Sequence, residues 1–307
     1  MKKFITRLFF ILCVVIGNSQ QDAIFSQYHY NASSINPAYT GTMFSPEIFL
    51  SHKSQWVGLE GAPTYSNFSF QSNGEIRKIN WGLNIKNDQI GPTVENNLAL
   101  NVSYVVPFDD NSFLSFGLKG SMNFMNVDFS ILDIYNTVDP LIRTDIDKKF
   151  VPNIGFGFHY FSEKAFLGFA IPQVLKTDHF ETSSEELRLA NERPHHYLTL
   201  GYIDKFSENV SVKYSILMKW VKGVKKHSNL SIVTRFYDSV DFGVGYDTYS
   251  SWNFLASFKV FENLMIGYTV DAPAIKSISN VPNSHEVFLK WTLDKDKLPK
   301  SIFRKFQ

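Results

Sequence analysis

Apolar and polar residues alternate with period two along most of this chain. Between Val210 and Trp220, Val210, Val212, Tyr214, Ile216, Met218 and Trp220 fall on one side. Ser211, Lys213, Ser215, Leu217 and Lys219 fall on the other. Trp252, Phe254, Ala256, Phe258 and Val260 alternate with Asn253, Leu255, Ser257 and Lys259. Val287, Leu289, Trp291 and Leu293 alternate with Glu286, Phe288, Lys290 and Thr292. Strict alternation over roughly ten residues marks a strand with one apolar and one polar face. Helical geometry would scatter the same residues around a cylinder. The pattern predicts about fourteen strands, an even number as bacterial outer-membrane barrels require. Their starts fall near Ser45, Thr64, Ile79, Glu95, Ser112, Val151, Ala165, His196, Val210, Asn229, Val240, Trp252, Leu264 and Glu286.

The connections between these segments sort into two classes. Every second one is short: 73–78, 107–111, 162–164, 204–209, 237–239 and 261–263. The others are mostly longer: 56–63, 88–94, 125–150, 172–195, 221–228 and 272–285, with 248–250 as a short exception. A soluble sandwich has no reason to keep its long loops on one side. A transmembrane barrel does, because its periplasmic turns are short and its extracellular loops long. An even strand count then puts both termini on the short-turn, periplasmic side. The fold class expected is all-β: a transmembrane outer-membrane β-barrel of about fourteen antiparallel strands.

Composition agrees with this reading. Aromatic residues make up 16% of the chain, with 29 Phe and 14 Tyr, which suits a strand wall with aromatic girdles. The mean hydropathy of -0.12 argues against a helical membrane protein. The formal net charge of +1 gives no basic field for nucleic acid and no acidic excess.

The start of the chain reads as an export signal. Met1, Lys2, Lys3 and Arg7 form a basic region, Leu8 to Ile16 an apolar run, and Gly17-Asn18-Ser19 a cleavage site after Ser19. The single cysteine, Cys13, lies inside that apolar run. Phe10-Ile11-Leu12 before it lacks the small residues of a lipoprotein signal. A mature chain without cysteine has no disulfide, thiol nucleophile or thiolate metal site. The expected organisation is a signal peptide over 1–19, a plug or periplasmic segment over 20–44, a barrel over 45–293 and a basic periplasmic tail over 294–307. Fourteen strands enclose more space than their own side chains fill. The segment 20–44 could fold inward to fill it or extend into the periplasm. The tail carries Lys295, Lys297, Lys300, Arg304 and Lys305, which could meet a partner or anionic lipid, or simply be solvated.

No catalytic set emerges, and the chain is not expected to be an enzyme. There is no P-loop, nucleophile elbow or zinc helix motif. Gly155-Phe156-Gly157-Phe158 alternates with strand period, so its glycines are expected to serve close packing or lumen space. His195 and His196 are neighbours on a strand and point to opposite faces, which disfavours shared chelation. Asp139, Asp145 and Asp147 lack calcium-loop spacing, and Glu181, Glu185 and Glu186 read likewise as solvated loop acids. Lys213, Lys219, Lys259 and Lys290 are expected on the lumen wall, as plain polar lining or as groups that favour anions. No metal and no cofactor is expected.

Several segments in order resemble one family. Gln21-Asp22-Ala23-Ile24-Phe25-Ser26-Gln27-Tyr28 and Asn36-Pro37-Ala38-Tyr39-Thr40-Gly41 resemble the start of PorP/SprF proteins of the type IX secretion system, with Ala23 where the family usually has Pro. His52-Lys53-Ser54-Gln55-Trp56-Val57-Gly58 with Gly61-Ala62-Pro63 resembles its first hairpin, and Asn87-Asp88-Gln89-Ile90-Gly91-Pro92-Thr93 its next loop. Leu114 to Lys119, Pro152 to Gly157, His196 to Thr199 and Ser284 to Glu286 follow in the family's order. The resemblance implies an outer-membrane barrel of Bacteroidota that binds, anchors or helps export a secreted surface protein, adhesins of gliding motility among them, through that protein's C-terminal sorting domain. Other type IX components, a periplasmic peptidoglycan-binding lipoprotein and outer-membrane lipid are the further partners it suggests. No nucleic acid is expected. The alternative is a FadL-like plugged channel for small hydrophobic solutes. Fourteen residues in the matching segments are candidates without an assigned role: Asn36, Pro37, Ala38, Tyr39, Gly41, Gln55, Trp56, Gly58, Gly61, Pro63, Asn87, Asp88, Gly91 and Pro92.

Overall fold

A computed structural model describes residues 28–43, 45–72, 76–131, 146–175, 177–178, 191–192, 194–224, 226–248, 251–274 and 281–293. Among the described residues sixteen strands follow in chain order. They are β1 (Glu47–Ser54), β2 (Thr64–Gln71), β3 (Ile79–Ile90), β4 (Thr93–Asp109), β5 (Ser112–Val127), β6 (Ile146–Ser162), β7 (Ala165–Ile171), β8 (Thr177–Asp178), β9 (Asn191–Glu192), β10 (His196–Lys205), β11 (Val210–Trp220), β12 (His227–Phe236), β13 (Val240–Asp247), β14 (Ser251–Phe261), β15 (Leu264–Pro273) and β16 (Ser284–Thr292). Fourteen of them close into one antiparallel barrel in which β7 pairs with β10 and β1 with β16. The short β8 and β9 pair only with each other, inside the loop 172–195. Closure gives every barrel strand two partners, so no backbone edge is left for lipid to meet.

The barrel is apolar outside and polar inside. Leu118 is 67% exposed while its neighbour Lys119 is 6% exposed. The same inversion runs around the wall: Ile79, Phe116, Ile154, Ile232, Phe254 and Val287 face outward, and Asn80, Ser115, Asn153, Ser231, Asn253 and Glu286 are buried. In water this would expose a large apolar belt without reason; in a bilayer the belt is the solvated surface. At the short-turn end, Phe108, Phe206, Tyr237 and Phe261 add exposed aromatic rings, as at a membrane interface. No helix among the described residues is long and apolar enough to cross a membrane; strands do the crossing.

The predicted strand starts agree with the observed ones to within a few residues. Two connections differ. The expected long loop 88–94 is a tight turn at 91–92, because β3 runs to Ile90 and β4 begins at Thr93. The polar residues Asn87 and Asp88 continue a strand instead of opening a loop. Likewise β5 runs to Val127 and β6 starts at Ile146, so the walls of β3 to β6 stand taller than the pattern implied. Register shifts at Pro107/Asp109, Met125/Val127 and Lys259/Phe261 bend these strand ends. The first of them accommodates Pro107, which has no donor for the ladder.

Candidate functional site: the lumenal strap and the long-loop rim

Residues 28–43, here the strap, lie inside the barrel. Two single 3-10 turns shape the strap, Ala32–Ser34 and Pro37–Tyr39. The second is specified locally. Asn36 caps it by accepting from the Ala38 backbone N–H at 2.9 Å, and Pro37 takes the first helical position, where no donor is needed. The Asn36 amide also donates to the Phe158 carbonyl on β6 at 3.0 Å. Tyr39 stacks on His159 at 3.7 Å and its hydroxyl lies 3.1 Å from Thr199 on β10. Gly41 has φ +69, and a Cβ there would collide with Asn80.

The wall is shaped to receive this turn. Gly117 on β5 and Gly157 on β6 point into the lumen at the strap. A Cβ on Gly117 would run into the backbone of Pro37 and Ala38, and one on Gly157 into the Asn36 side chain. Ala38 and Thr40 are fully buried as a result. Further along, Ser33, Ser34 and Thr40 offer backbone carbonyls to Asn101, Lys86 and Ser103 of the wall.

The beginning of the strap reaches β2 and, across the bore, β11 to β13. The Asn31 amide donates to Ser69 on β2 at 2.7 Å. The Tyr30 hydroxyl donates to Asp241 on β13 at 2.8 Å. Arg235 on β12 holds the same carboxylate with two bonds, Nε to Oδ1 at 2.7 Å and Nη2 to Oδ2 at 2.8 Å. His29 lies between Ser215 and Ser231, and the Tyr28 hydroxyl lies 3.2 Å from Ser231. Between strap and wall remains a cavity of about 60 Å³ lined by Tyr39, His159, Phe166 and Lys213 among others. That space suits a few water molecules.

A second set of candidates forms the rim at the long-loop end. The Gln55 N–H bonds the Pro63 carbonyl at 2.9 Å and closes the β1–β2 loop on itself. Trp56 adopts φ +47, a costly conformation for an aromatic residue. It is braced there: its N–H meets Ser284 Oγ at 3.2 Å, and the Val57 N–H meets the Asn283 carbonyl at 3.1 Å. Gly58 and Gly61 take positive φ in the same loop. Gly91, at φ +52, donates from its N–H to the Gly61 carbonyl at 3.1 Å, and Pro92 accepts from the Asp128 N–H at 3.0 Å. Asn87 donates to Asn96 across the β3–β4 pair at 2.9 Å, and Asp88 sits opposite Tyr65 and Glu95. The loop thereby holds Trp56, Val57 and Leu59 exposed, beside exposed Ile90.

The fourteen candidates therefore divide between two places. Asn36, Pro37, Ala38, Tyr39 and Gly41 are in the lumen; Gln55, Trp56, Gly58, Gly61, Pro63, Asn87, Asp88, Gly91 and Pro92 are at the rim. Other sequence expectations can be placed too. Lys213 and Lys219 are buried on the lumen wall, and Lys290 meets Glu47 at 3.1 Å. Lys259 is exposed beside the register shift near the short-turn end. The His196 ring stacks on Trp220 while His195 meets Tyr197 edge-on, so the two rings diverge. Gly155 faces the Pro172 carbonyl. Asp139, Asp145, Glu181, Glu185 and Glu186 lie outside the described residues, as does the side chain of Asp147. Among the described residues no cluster of His, Cys, Asp and Glu is arranged to hold a metal. Sequence reasoning missed Tyr30, Arg235, Asp241 and Gly117. Only Gly117 left a signal, a residue without a side chain at an inward position of a strand.

Fold and lumen together define an outer-membrane β-barrel with part of its own N-terminal region inside. The chain belongs to the family of type IX secretion system membrane proteins PorP/SprF, whose model matches residues 17–291. That family is one of secretion-system membrane proteins, not of enzymes. No curated protein matches the chain. Among solved structures, the toluene transporter TbuX of Ralstonia pickettii is similar at TM-score 0.53 and 12% identity, over 86% of this chain and 94% of that one. A deltaS2S3 mutant of the monoaromatic hydrocarbon channel TodX is similar at 0.53 and 10%, over 86% and 94%. The monoaromatic hydrocarbon channel CymD is similar at 0.50 and 12%, over 91% and 96%. At such identities the likeness concerns the fold alone.

Proposed function

We propose that this barrel docks a particular secreted surface protein of the type IX route, anchoring it or assisting its export, and that it engages that protein's C-terminal sorting domain. The observation that carries the reading is the filled lumen. The strap bonds to β2, β6, β10, β12 and β13 across the bore, so the barrel offers a surface more than a passage. The rim loop, with Trp56, Val57 and Leu59 held outward by bonds to 283 and 284, is the surface this reading assigns to the exported protein.

In this reading residues 1–19 are the export signal and both termini are periplasmic. The short-turn side, with the basic tail 294–307, then faces other type IX components or a peptidoglycan-binding lipoprotein. An affinity pull-down of the tagged protein from detergent-solubilised outer membrane tests the proposal. A large exported protein with a C-terminal sorting domain among the captured partners is the expected result. Recovery of lipids and general porins alone, after crosslinking, would contradict it.

The second reading, a plugged channel for small hydrophobic solutes, draws on the aromatic lining of the lumenal cavity by Tyr28, Tyr30, Tyr39 and Phe166. That cavity, about 60 Å³, is smaller than the roughly 150 Å³ space that holds a benzene ring in an engineered core. A steady open pore in single-channel recordings of the full chain would favour this second reading over docking.

A further inference from the structure

Among the described residues, the lumenal ion pairs lie on one side of the bore. Lys53–Asp271, His227–Asp247, Arg235–Asp241 and Lys290–Glu47 belong to β1 and β12 to β16. Lys119, on β5 across the bore, is in none of them. It is buried, and the charged group that acts on it is Lys86 on β3, a second cation. Taking an isolated charge out of water is so costly that buried ammonium groups are normally paired. No described carboxylate pairs with Lys119.

Strand register places the two lysines around a small gap. On β4, between them, Asn97, Ala99 and Asn101 point inward. Lys86 stands opposite Asn97, and Lys119 opposite Asn101. Ala99, between those two rows, has only a methyl group where its neighbours carry amides. Opposite Ala99 on β5 is Ser121, buried, with a hydroxyl that bonds no described protein group. The strap covers this spot from the lumen: the Ser34 carbonyl accepts from Lys86 Nζ at 3.1 Å, and the Ser33 carbonyl from Asn101 Nδ2 at 2.9 Å. Wall and strap thus bring a second ammonium group and an unbonded hydroxyl to the side of Lys119.

We propose that a small monovalent anion of halide size sits over Ala99, held by Lys119, with Lys86 and the Ser121 hydroxyl as its further donors. These donors are single and point-like, unlike the planar forks that select carboxylate or phosphate. The gap is the difference between an alanine and an asparagine side chain, which suits an ion of a few ångströms. The ion balances the charge of Lys119 and, through Lys86, ties the β3–β5 wall to the strap turn at 32–34. The site stands independently of the docking reading.

Crystals of the full chain grown with bromide in place of chloride give the first test. An anomalous peak over Ala99 beside Lys119 is expected in the wild type and should be absent from Lys119→Met. A wild-type crystal without that peak overturns the proposal. The second test is heat unfolding of the detergent-solubilised chain at constant ionic strength, in chloride or in gluconate, which is too large for the gap. Chloride should raise the midpoint saturably. Ser121→Ala, which removes only a hydroxyl and guards against misfolding of the methionine variant, should need about tenfold more chloride for the same rise, as expected for loss of a hydrogen bond to a charged group. Equal midpoints in the two salts, or a chloride response that Ser121→Ala leaves unchanged, would also overturn it. Lys119 would then fall to the Asn101 carbonyl oxygen, which has no described partner either.

Discussion

The Oδ1 atom of Asn36 occupies the place where a Cβ on residue 157 would lie, and residue 157 is glycine. The two are 121 positions apart, yet each explains the other. Asn36 uses that oxygen to cap the Pro37 turn and its amide nitrogen to bond the β6 backbone. Only a wall without a side chain at that point lets it do both.

Gly157→Ala should therefore unseat the strap without disturbing the barrel wall. Overpacking of this kind costs about 1–3 kcal/mol. The expected result is a folded, heat-modifiable barrel with a lowered urea midpoint and new conductance in planar bilayers. Gly120, on the neighbouring β5 and with open space at its Cβ position, provides the control: Gly120→Ala should leave both measurements unchanged.

Arg235→Ala leaves the Asp241 carboxylate buried with Tyr30 and Ser257 as its remaining donors. Removing one member of a buried ion pair costs about 3–5 kcal/mol, much of it from the charge left behind. The double variant Arg235→Ala with Asp241→Ala should recover part of that loss. A double-mutant cycle from urea unfolding in vesicles measures the recovery.

Fold and site were unequally legible. The barrel could be read because its signal is local: a residue such as Leu118 or Lys119 declares its face through its neighbours two positions away. Of the strap, only the inward fold of segment 20–44, as one of two alternatives, and the motif residues Asn36 to Gly41 could be read; its contacts could not, because residues 28–43 have no period and their partners lie far along the chain. Nothing near Tyr30 announces Asp241, 211 positions later. The rim was half legible. Gly58, Gly61 and Gly91 stood out as turn residues, and each does take a positive φ. The polarity of Asn87 and Asp88 suggests a loop, but beyond the apolar belt a barrel strand is free to be polar on both faces, and β3 continues to Ile90.

Trp56→Gly separates fold from docking. Glycine accepts φ near +47 without the strain an aromatic residue bears, so stability should hold or rise by about 1 kcal/mol. The exposed indole disappears at the same time. Barrel abundance in the outer membrane should stay normal while the exported partner is lost from pull-downs.

Orientation is accessible through cysteine labelling, because the sequence has a single cysteine, at position 13. A membrane-impermeant maleimide should label Val57→Cys on intact cells. Asp110→Cys, in the β4–β5 turn, should react only after the outer membrane is permeabilised.

The most direct test of the docking account is a photo-crosslink in living cells, with a benzophenone amino acid placed either at Val57 on the long-loop rim or at Asp110 on the short-turn rim. The account predicts a high-mass adduct from position 57, with mass spectrometry identifying a secreted protein joined through its C-terminal domain, and no such adduct from position 110. An exported protein captured only from position 110, or from neither position while the barrel is abundant and folded, would contradict it.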